Sequence, residues 1–266
     1  MASAFPFSMA WEQTRESLSL HHPLILPVAA ALLFLPQLLF ARYGGDLDPG
    51  SVAGMEASRL GPALVLLLAA ALGQVITQIY VSLIALGEGG PTLGATLARS
   101  VALAPKGLAI SLLQSLALAP AIPLLTSPAT AERLVGLPLL AAGFWLVLRL
   151  IYAIPILATR NRGVFAALQE SFARTSGQVL RIGASIGLLL FGFLLLLVVI
   201  GSLMAILAQF AGVLGGDGAA DGWGPARWLQ TLVQTAIAVG LSVILAAFVA
   251  ILFRQSRDQS RDQPRG

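Results

Sequence analysis

The chain has 266 residues, of which 57% are hydrophobic and 11% are charged, with a net charge of +4 and a pI of about 10.3. A soluble domain carries about 25% charged residues, so the composition excludes an ordinary soluble globular protein. Cysteine is absent, which excludes a disulfide framework, a thiolate metal site and a cysteine nucleophile.

Six apolar stretches are long enough to cross a bilayer, because roughly 20 apolar residues cover its hydrocarbon core. We therefore predict an all-α integral membrane protein with six transmembrane helices: Leu24–Ala41, Pro62–Leu86, Leu108–Leu125, Leu134–Ala158, Val179–Leu214 and Trp228–Phe253. The fifth stretch is too long for one perpendicular crossing, so we expect it to tilt, kink or extend into water. The N-terminal region lacks the basic start of a cleavable signal, so we expect the first helix to be retained.

The basic residues predict the orientation. With the N-terminus in the cytoplasm, only Arg42, Arg59, Arg133 and Arg227 fall on the opposite side. Eleven fall on the cytoplasmic side: Arg15, Arg99, Lys106, Arg160, Arg162, Arg174, Arg181, Arg254, Arg257, Arg261 and Arg265. This bias predicts that both termini lie in the cytoplasm, and we expect the membrane to be a bacterial inner membrane, as the resemblance described below implies. The bias also accounts for the high pI without a nucleic-acid partner.

The sequence before each odd-numbered helix follows a similar pattern. A charged residue and a serine (Glu16-Ser17, Arg99-Ser100 and Glu170-Ser171) end a short amphipathic stretch, and a helix breaker follows each (Pro36, Pro120 and Gly192). We interpret this as three repeats of an interfacial helix plus a transmembrane hairpin, approximately residues 1–86, 91–158 and 163–253. The alternatives are chance similarity between apolar sequences and simple extensions of the spanning helices.

Residues 1–253 are predicted to form a single transmembrane domain, and 254–266 a disordered cytoplasmic tail. The tail repeats Gln, Ser, Arg and Asp and has no apolar side chain after Phe253. Such a segment cannot bury enough apolar surface to fold alone, and its positive charge suits anionic lipid.

No pattern of catalytic residues is evident. His21 and His22 are adjacent at the start of the first helix, and no carboxylate lies inside a predicted helix. Metal sites and hydrolase triads need further ligands or partners nearby. We therefore expect no enzyme, no metal and no cofactor, and an ion-coupled pump is disfavoured because such carriers use intramembrane carboxylates.

Arg149 is the most informative single side chain, because it lies deep in the fourth predicted helix. Placing arginine near a bilayer centre costs about 2.5–3.5 kcal/mol, so it should face protein, water or an anion. The alternative is that its side chain reaches the cytoplasmic interface near Arg160. That interface is about ten residues, or about 15 Å, away along a helix, which only a shifted or kinked helix would allow.

Amide side chains form a second set of candidates, because uncharged polar groups in hydrocarbon must hydrogen-bond. The predicted ligand-binding residues are Arg149, Gln74, Gln78, Gln114 and Gln234. The alternative is that the amides only join helices. Gly183 and Gly187 predict a close helix contact at the start of the fifth helix.

Residues Gly143 to Ile182 resemble the membrane domain found beside glycerophosphodiester phosphodiesterases, and related bacterial inner-membrane proteins. The resemblance rests on Arg149 in a transmembrane helix, Pro155 near its end, a short basic link and a later run of small and polar residues: Ala167, Leu168, Ser171, Thr175 and Gly177. A Pro-Gly pair common in the family is Ala142-Gly143 here. In that family the reaction belongs to a separate soluble domain, so the resemblance implies a membrane module linked to lipids, and we expect no phosphodiesterase activity in this chain.

Two functional hypotheses follow. The first is a non-enzymatic membrane protein that binds or moves a lipid or another amphipathic anion, with Arg149 as the counter-charge and the amides along the path. The second is a scaffold or accessory subunit that docks a partner protein or a second copy of the chain.

Overall fold

The computed structural model describes residues 7–43, 57–160, 163–215 and 224–262, and within these ranges it contains helices and no strand. The first five helices are α1 (Phe7–Ala29), α2 (Leu35–Tyr43), α3 (Ala57–Ala85), α4 (Leu93–Leu118) and α5 (Ala121–Thr126), with a π-helical turn at Ala30–Phe34 between α1 and α2. The remaining helices are α6 (Thr130–Arg149), α7 (Ala153–Arg160), α8 (Val164–Arg174), α9 (Val179–Gly215) and α10 (Pro225–Asp262).

Within the described ranges, six helical segments are long and apolar enough to cross a membrane, which confirms the predicted all-α membrane fold. Each overlaps one predicted transmembrane helix: Phe7–Tyr43, Leu64–Ala85, Leu93–Thr126, Thr130–Arg160, Val179–Leu203 and Arg227–Asp258. The third and fourth segments each combine two helices, α4 with α5 and α6 with α7. In contrast, α9 is one uninterrupted helix through Gly215.

A proline and a glycine determine how the first segment packs against α3. Pro36 has no N–H, so the carbonyl of Leu32 loses its usual α-helical donor, and the helix widens into the π-helical turn just before this proline. A Cβ atom at Gly73 of α3 would overlap the Leu32 carbonyl oxygen. Glycine at position 73 therefore allows the two backbones to approach closely.

The buried residues concentrate at one end of the bundle, where α3, α7 and α10 meet. Nearly all side chains in the ranges 79–86, 152–158 and 247–253 are buried, and the rings of Tyr152 and Phe253 lie 5.7 Å apart there. In contrast, most of the leucines near the start of α3 and of α6 are exposed. Exposed leucines are expected where helices face acyl chains, since lipid is as apolar as the side chains.

Charged side chains gather at the same end, which we call the charged end: Glu88, Arg99, Arg160, Glu170, Arg174, Arg254 and Arg257. Arg160 and Arg174 both lie 2.9 Å from the carboxylate of Glu170, and Arg99 donates to the carbonyl oxygen of Ala158 at 2.7 Å. The basic members are all residues that the sequence assigned to the cytoplasmic side.

The turn after α3 places an acidic residue in this cluster. Gly87 has a φ of 69°, a left-handed conformation that suits glycine, and the Glu88 N–H donates to the Leu83 carbonyl at 2.9 Å. The carbonyl of Glu88 accepts from Arg99 at 3.1 Å, and its carboxylate lies 3.5 Å from Arg257. The turn thus joins α3, α4 and α10.

The C-terminal region differs from the predicted disordered tail, because α10 continues to Asp262. The side chains of Arg254 and Gln255 both donate to the amide oxygen of Gln13, at 3.3 and 3.1 Å. These polar residues therefore have partners on α1, which composition alone does not reveal. Residues 263–266, with Arg265, lie outside the described residues, as does Arg162.

A separate amphipathic helix occurs in one of the three predicted units, and it is α8. In the other two units the amphipathic stretch is part of a continuous helix, α1 or α4, and Pro105 and Lys106 lie inside α4. These two stretches are therefore extensions of the spanning helices, which was the alternative. Losing one N–H at Pro105 does not stop a helix whose other hydrogen bonds persist. Gly192 also leaves α9 unbroken, and the threefold repeat stays a prediction.

The close contact at Gly73 predicts that Gly73→Ala destabilises the protein by about 1–3 kcal/mol, because the new methyl group meets backbone that cannot rotate away. The free energy of unfolding, measured in detergent with increasing SDS, checks this. Gly187→Ala is the matched control: although predicted as a helix contact, Gly187 has no atom near a built Cβ. Equal destabilisation of both variants would contradict the packing at Gly73.

Candidate functional site

Arg149 is the last residue of α6, and its side chain contacts α8. One guanidinium nitrogen, Nη1, donates to the carbonyl oxygen of Phe172 at 3.2 Å. The guanidinium carbon lies 4.8 Å from the ring centre of Trp145 and 4.6 Å from that of Phe172. Arginine favours such aromatic faces because the ring electrons attract the cation.

The chain leaves helical geometry directly after Arg149, and hydroxyl groups of α8 bind the freed backbone groups. Ser171 Oγ donates to the Arg149 carbonyl at 2.9 Å and accepts from the Tyr152 N–H at 3.2 Å. Thr175 Oγ1 lies 3.1 Å from the same carbonyl. We call this arrangement the α6–α8 junction. It satisfies backbone groups that would otherwise be unpaired inside a membrane segment.

The turn that follows α8 depends on glycine. Gly177 has a φ of 78°, in the left-handed region, and a short turn there separates α8 from α9. The next helix then returns to α6, where a Cβ at Gly183 would lie 2.9 Å from Leu148. Of the two glycines predicted as a helix contact, Gly183 therefore makes one and Gly187 does not.

An amide from α4 binds the other side of the same break. Gln114 Nε2 donates to the Leu150 carbonyl oxygen at 3.1 Å. Leu150 is the first residue after α6, and its carbonyl also accepts from the Ala153 N–H at 3.0 Å, so Gln114 adds a second hydrogen bond to this group. Gln114 therefore joins α4 to the end of α6, as expected if the amides serve to hold helices together.

Three of the predicted amides surround a cavity between α3, α4, α6, α7 and α10, which we call the amide cavity. It consists of two adjoining lobes of about 370 and 200 Å³, which share Gln74, Gln78, Gln114 and Val147. Further hydroxyl groups line it, from Ser82, Ser111, Ser115 and Ser242. Its remaining walls are apolar.

The amides differ in whether the protein satisfies them. Gln74 Nε2 donates to Ser242 Oγ at 3.2 Å, and Gln114 binds Leu150 as described. Gln78 lines both lobes and is half-buried, yet its amide has no hydrogen-bond partner among the described residues. An unpaired amide in a low-dielectric site is costly, so Gln78 is the group best placed to bind a ligand.

Arg149 and Gln234 do not line this cavity, so the predicted set is not one site. Val147 faces the cavity, and Arg149, two residues further, projects from nearly the opposite side of α6 because each helical residue turns by about 100°. Gln234 is exposed on α10, whereas the next residue, Thr235, is buried. Of the predicted residues, Gln74, Gln78 and Gln114 line the cavity, whereas the sequence did not reveal that Arg149 and Gln234 lie on other helix faces.

Ser242 is the polar residue of α10 that lines the cavity, and it was not predicted from the sequence. It follows Thr235 by seven residues, which places both on one helix face. That spacing was the available signal, but the residue predicted on this helix was Gln234, which lies on an exposed face.

The histidines have local partners. The Nδ1 atoms of His21 and His22 lie 2.8 Å from the carbonyl oxygens of Ser17 and Ser19 respectively. Pro23 cannot donate to Ser19, so this carbonyl is free to contact the His22 ring. No group of three or more potential metal ligands occurs among the residues that the structure describes.

Residues 129–262 match the family described as the membrane domain of glycerophosphoryl diester phosphodiesterase. No curated protein and no solved structure matches the chain. The matched segment contains the whole α6–α8 junction, and it includes Ser242 of the amide cavity. Gln74, Gln78 and Gln114 lie before it.

Because Ser171 binds two backbone groups at once, Ser171→Ala should lower the free energy of unfolding by about 1–3 kcal/mol. Thermal unfolding followed by far-UV circular dichroism in detergent measures the loss. Ser185→Ala is the matched control, since its hydroxyl binds only the Arg181 carbonyl of its own helix, at 3.0 Å. A loss no greater than that of the control would show that the junction contributes little to stability.

Proposed function

The chain belongs to the membrane-domain family of glycerophosphoryl diester phosphodiesterase, and on that basis we propose that it binds the uncharged polar part of a lipid in its amide cavity. The observation that carries this proposal is the amide of Gln78, which lies in the cavity without a partner in the described protein. An amide both donates and accepts hydrogen bonds, so hydroxyl and carbonyl groups suit it equally.

The lining of the cavity argues against a charged group inside it. Its polar residues are amides and hydroxyls, and none of its lining side chains is charged. A phosphate in such a site would lose water without meeting a counter-charge, which is costly. The sequence suggested that a whole amphipathic anion binds with Arg149 as its counter-charge. The cavity instead favours an uncharged group: a glycerol hydroxyl, an ester carbonyl or a sugar hydroxyl.

The size and walls of the cavity also suit such a ligand. A lobe of about 370 Å³ lies within the range of small-molecule sites, about 300–1,000 Å³. Leu108, Leu112 and Ile151 supply apolar surface beside the amides, where the start of an acyl chain would lie. We assign no reaction, because no carboxylate, histidine or lysine lines the cavity to transfer a proton.

Lipid binding predicts a difference between two glutamine variants. Gln78→Leu should leave stability unchanged or slightly higher, because it removes an unpaired amide, but should abolish retention of the cavity lipid. Gln234→Leu, the same change at an exposed position, should retain it. Native mass spectrometry of each purified protein measures retained lipid, and diacylglycerol and phosphatidylethanolamine added back afterwards identify the class.

Equal lipid retention in both variants would contradict the cavity proposal. If, in addition, one protein co-purified in fixed ratio with wild type and with both variants, the scaffold hypothesis would be favoured instead. If water alone occupied the cavity, no lipid would be retained by wild type, and the proposal would also fail.

We further propose that the charged end faces the cytoplasm of a bacterial cell, which places both termini on that side. The grouping of Arg99, Arg160, Arg174, Arg254 and Arg257 at one end supports this, because basic residues favour the cytoplasmic face.

Labelling of single cysteines tests this orientation, since the chain has no cysteine of its own. Ser8→Cys and Asp258→Cys, both exposed near the charged end, should resist a membrane-impermeant maleimide in intact spheroplasts and react after lysis. Ala129→Cys, exposed in the turn between α5 and α6, should react before lysis. Labelling in the reverse order would invert the proposed orientation.

A further inference from the structure

Arg149 is a cation within a candidate membrane segment, and the described protein supplies no carboxylate for it. The residue belongs to the segment Thr130–Arg160, is half-buried, and forms no ion pair with any residue in the described ranges. The contacts between α6 and α8 do not explain why this residue is charged. They use only the carbonyl oxygen of Arg149 and one N–H of its guanidinium. The charge itself is left without a counter-ion.

The two aromatic rings hold the guanidinium in a fixed place at the surface. Trp145 and Phe172 lie 6.1 Å apart with their planes at 84°, and the cation lies against both. Trp145 and Phe172 are 45% and 40% exposed. The bracket is therefore open to the surroundings, and beside Trp145, which belongs to the candidate membrane segment Thr130–Arg160, those surroundings are lipid.

The hydrogen-bonding capacity of the guanidinium is mostly unused. Arginine has five N–H donors, and only one bond, to the Phe172 carbonyl, is formed in the described protein. The Nε atom is buried without a partner, and it is the two terminal nitrogens that can approach an external group. A planar guanidinium binds phosphate with two parallel hydrogen bonds, which lysine cannot do.

We propose that Arg149, bracketed by Trp145 and Phe172, binds the phosphate of a membrane phospholipid on the outer surface of α6. A phospholipid phosphate is the anionic group that a bilayer offers beside apolar side chains, and the aromatic rings meet the adjoining glycerol and acyl carbons. Because Arg149 and Val147 project from opposite sides of α6, this site is separate from the amide cavity and does not depend on it.

The test measures lipid binding to the full chain by native mass spectrometry in detergent, with dioleoylphosphatidylglycerol and then digalactosyldiacylglycerol, which has no phosphate. Wild type should bind the first phosphatidylglycerol more tightly than the galactolipid. Arg149→Gln should weaken that first binding event about tenfold or more, because charge-assisted hydrogen bonds are lost. Arg149→Lys should be intermediate, since it keeps the charge but not the planar pair of donors.

Arg181→Gln is the matched control, because it removes the same charge from an exposed residue of α9. It should bind phosphatidylglycerol as wild type does, and Gln78→Leu should as well. Equal weakening by Arg149→Gln and Arg181→Gln would reduce the effect to net charge and overturn the site. Displacement of the lipid by millimolar inorganic phosphate would overturn the assignment to a lipid.

Folding of the variants is checked by helix content and by elution volume. Should Arg149→Gln not fold, the comparison of the two lipids on Gln78→Leu decides alone, because its amide cavity retains no lipid. An equal affinity of Gln78→Leu for phosphatidylglycerol and for the galactolipid would overturn the proposal.

Discussion

Inside a membrane segment, each backbone group released by a break in a helix needs another partner, and this requirement organises the structure around residues 150–152. Ser171 and Thr175 of α8 bind the carbonyl of Arg149, and Ser171 also binds the N–H of Tyr152. From the other side of the break, Gln114 of α4 adds a second hydrogen bond to the Leu150 carbonyl, which also accepts from the Ala153 N–H. The break thereby joins α4, α6, α7 and α8, because water is not available to solvate those groups.

The same break shapes the amide cavity. Gln114 reaches across to Leu150 and so forms part of the cavity lining, and Ile151 and Pro155 continue that wall into α7. The polar groups of the cavity consequently serve two purposes. Gln74 and Gln114 join helices through Ser242 and Leu150, whereas Gln78 is left with a free amide. The alternative that the amides join helices therefore describes Gln74 and Gln114, and ligand binding stays a proposal for Gln78.

The family motif has a structural explanation in these contacts. Ser171 and Thr175 bind the backbone at the break, Ala167 is fully buried, and Gly177 adopts the left-handed turn that releases α9 from α8. These roles explain why the motif combines small, hydroxyl and glycine residues at fixed spacing. They do not use the guanidinium charge of Arg149, which is available for a ligand outside the bundle.

Hydropathy and charge were sufficient to predict the class of the protein, its six membrane segments and the common location of Arg99, Arg160, Arg174, Arg254 and Arg257, because these depend on the length and sign of local segments. Gln74, Gln78 and Gln114 were also named from the sequence, since amides are unusual in apolar helices and are expected to face inward. Tertiary structure alone decided that Gln234 faces outward, that Arg149 and Val147 lie on opposite sides of α6, and that residues 254–262 continue a helix. Those features depend on which neighbouring helix supplies a partner, and helix periodicity cannot specify that neighbour.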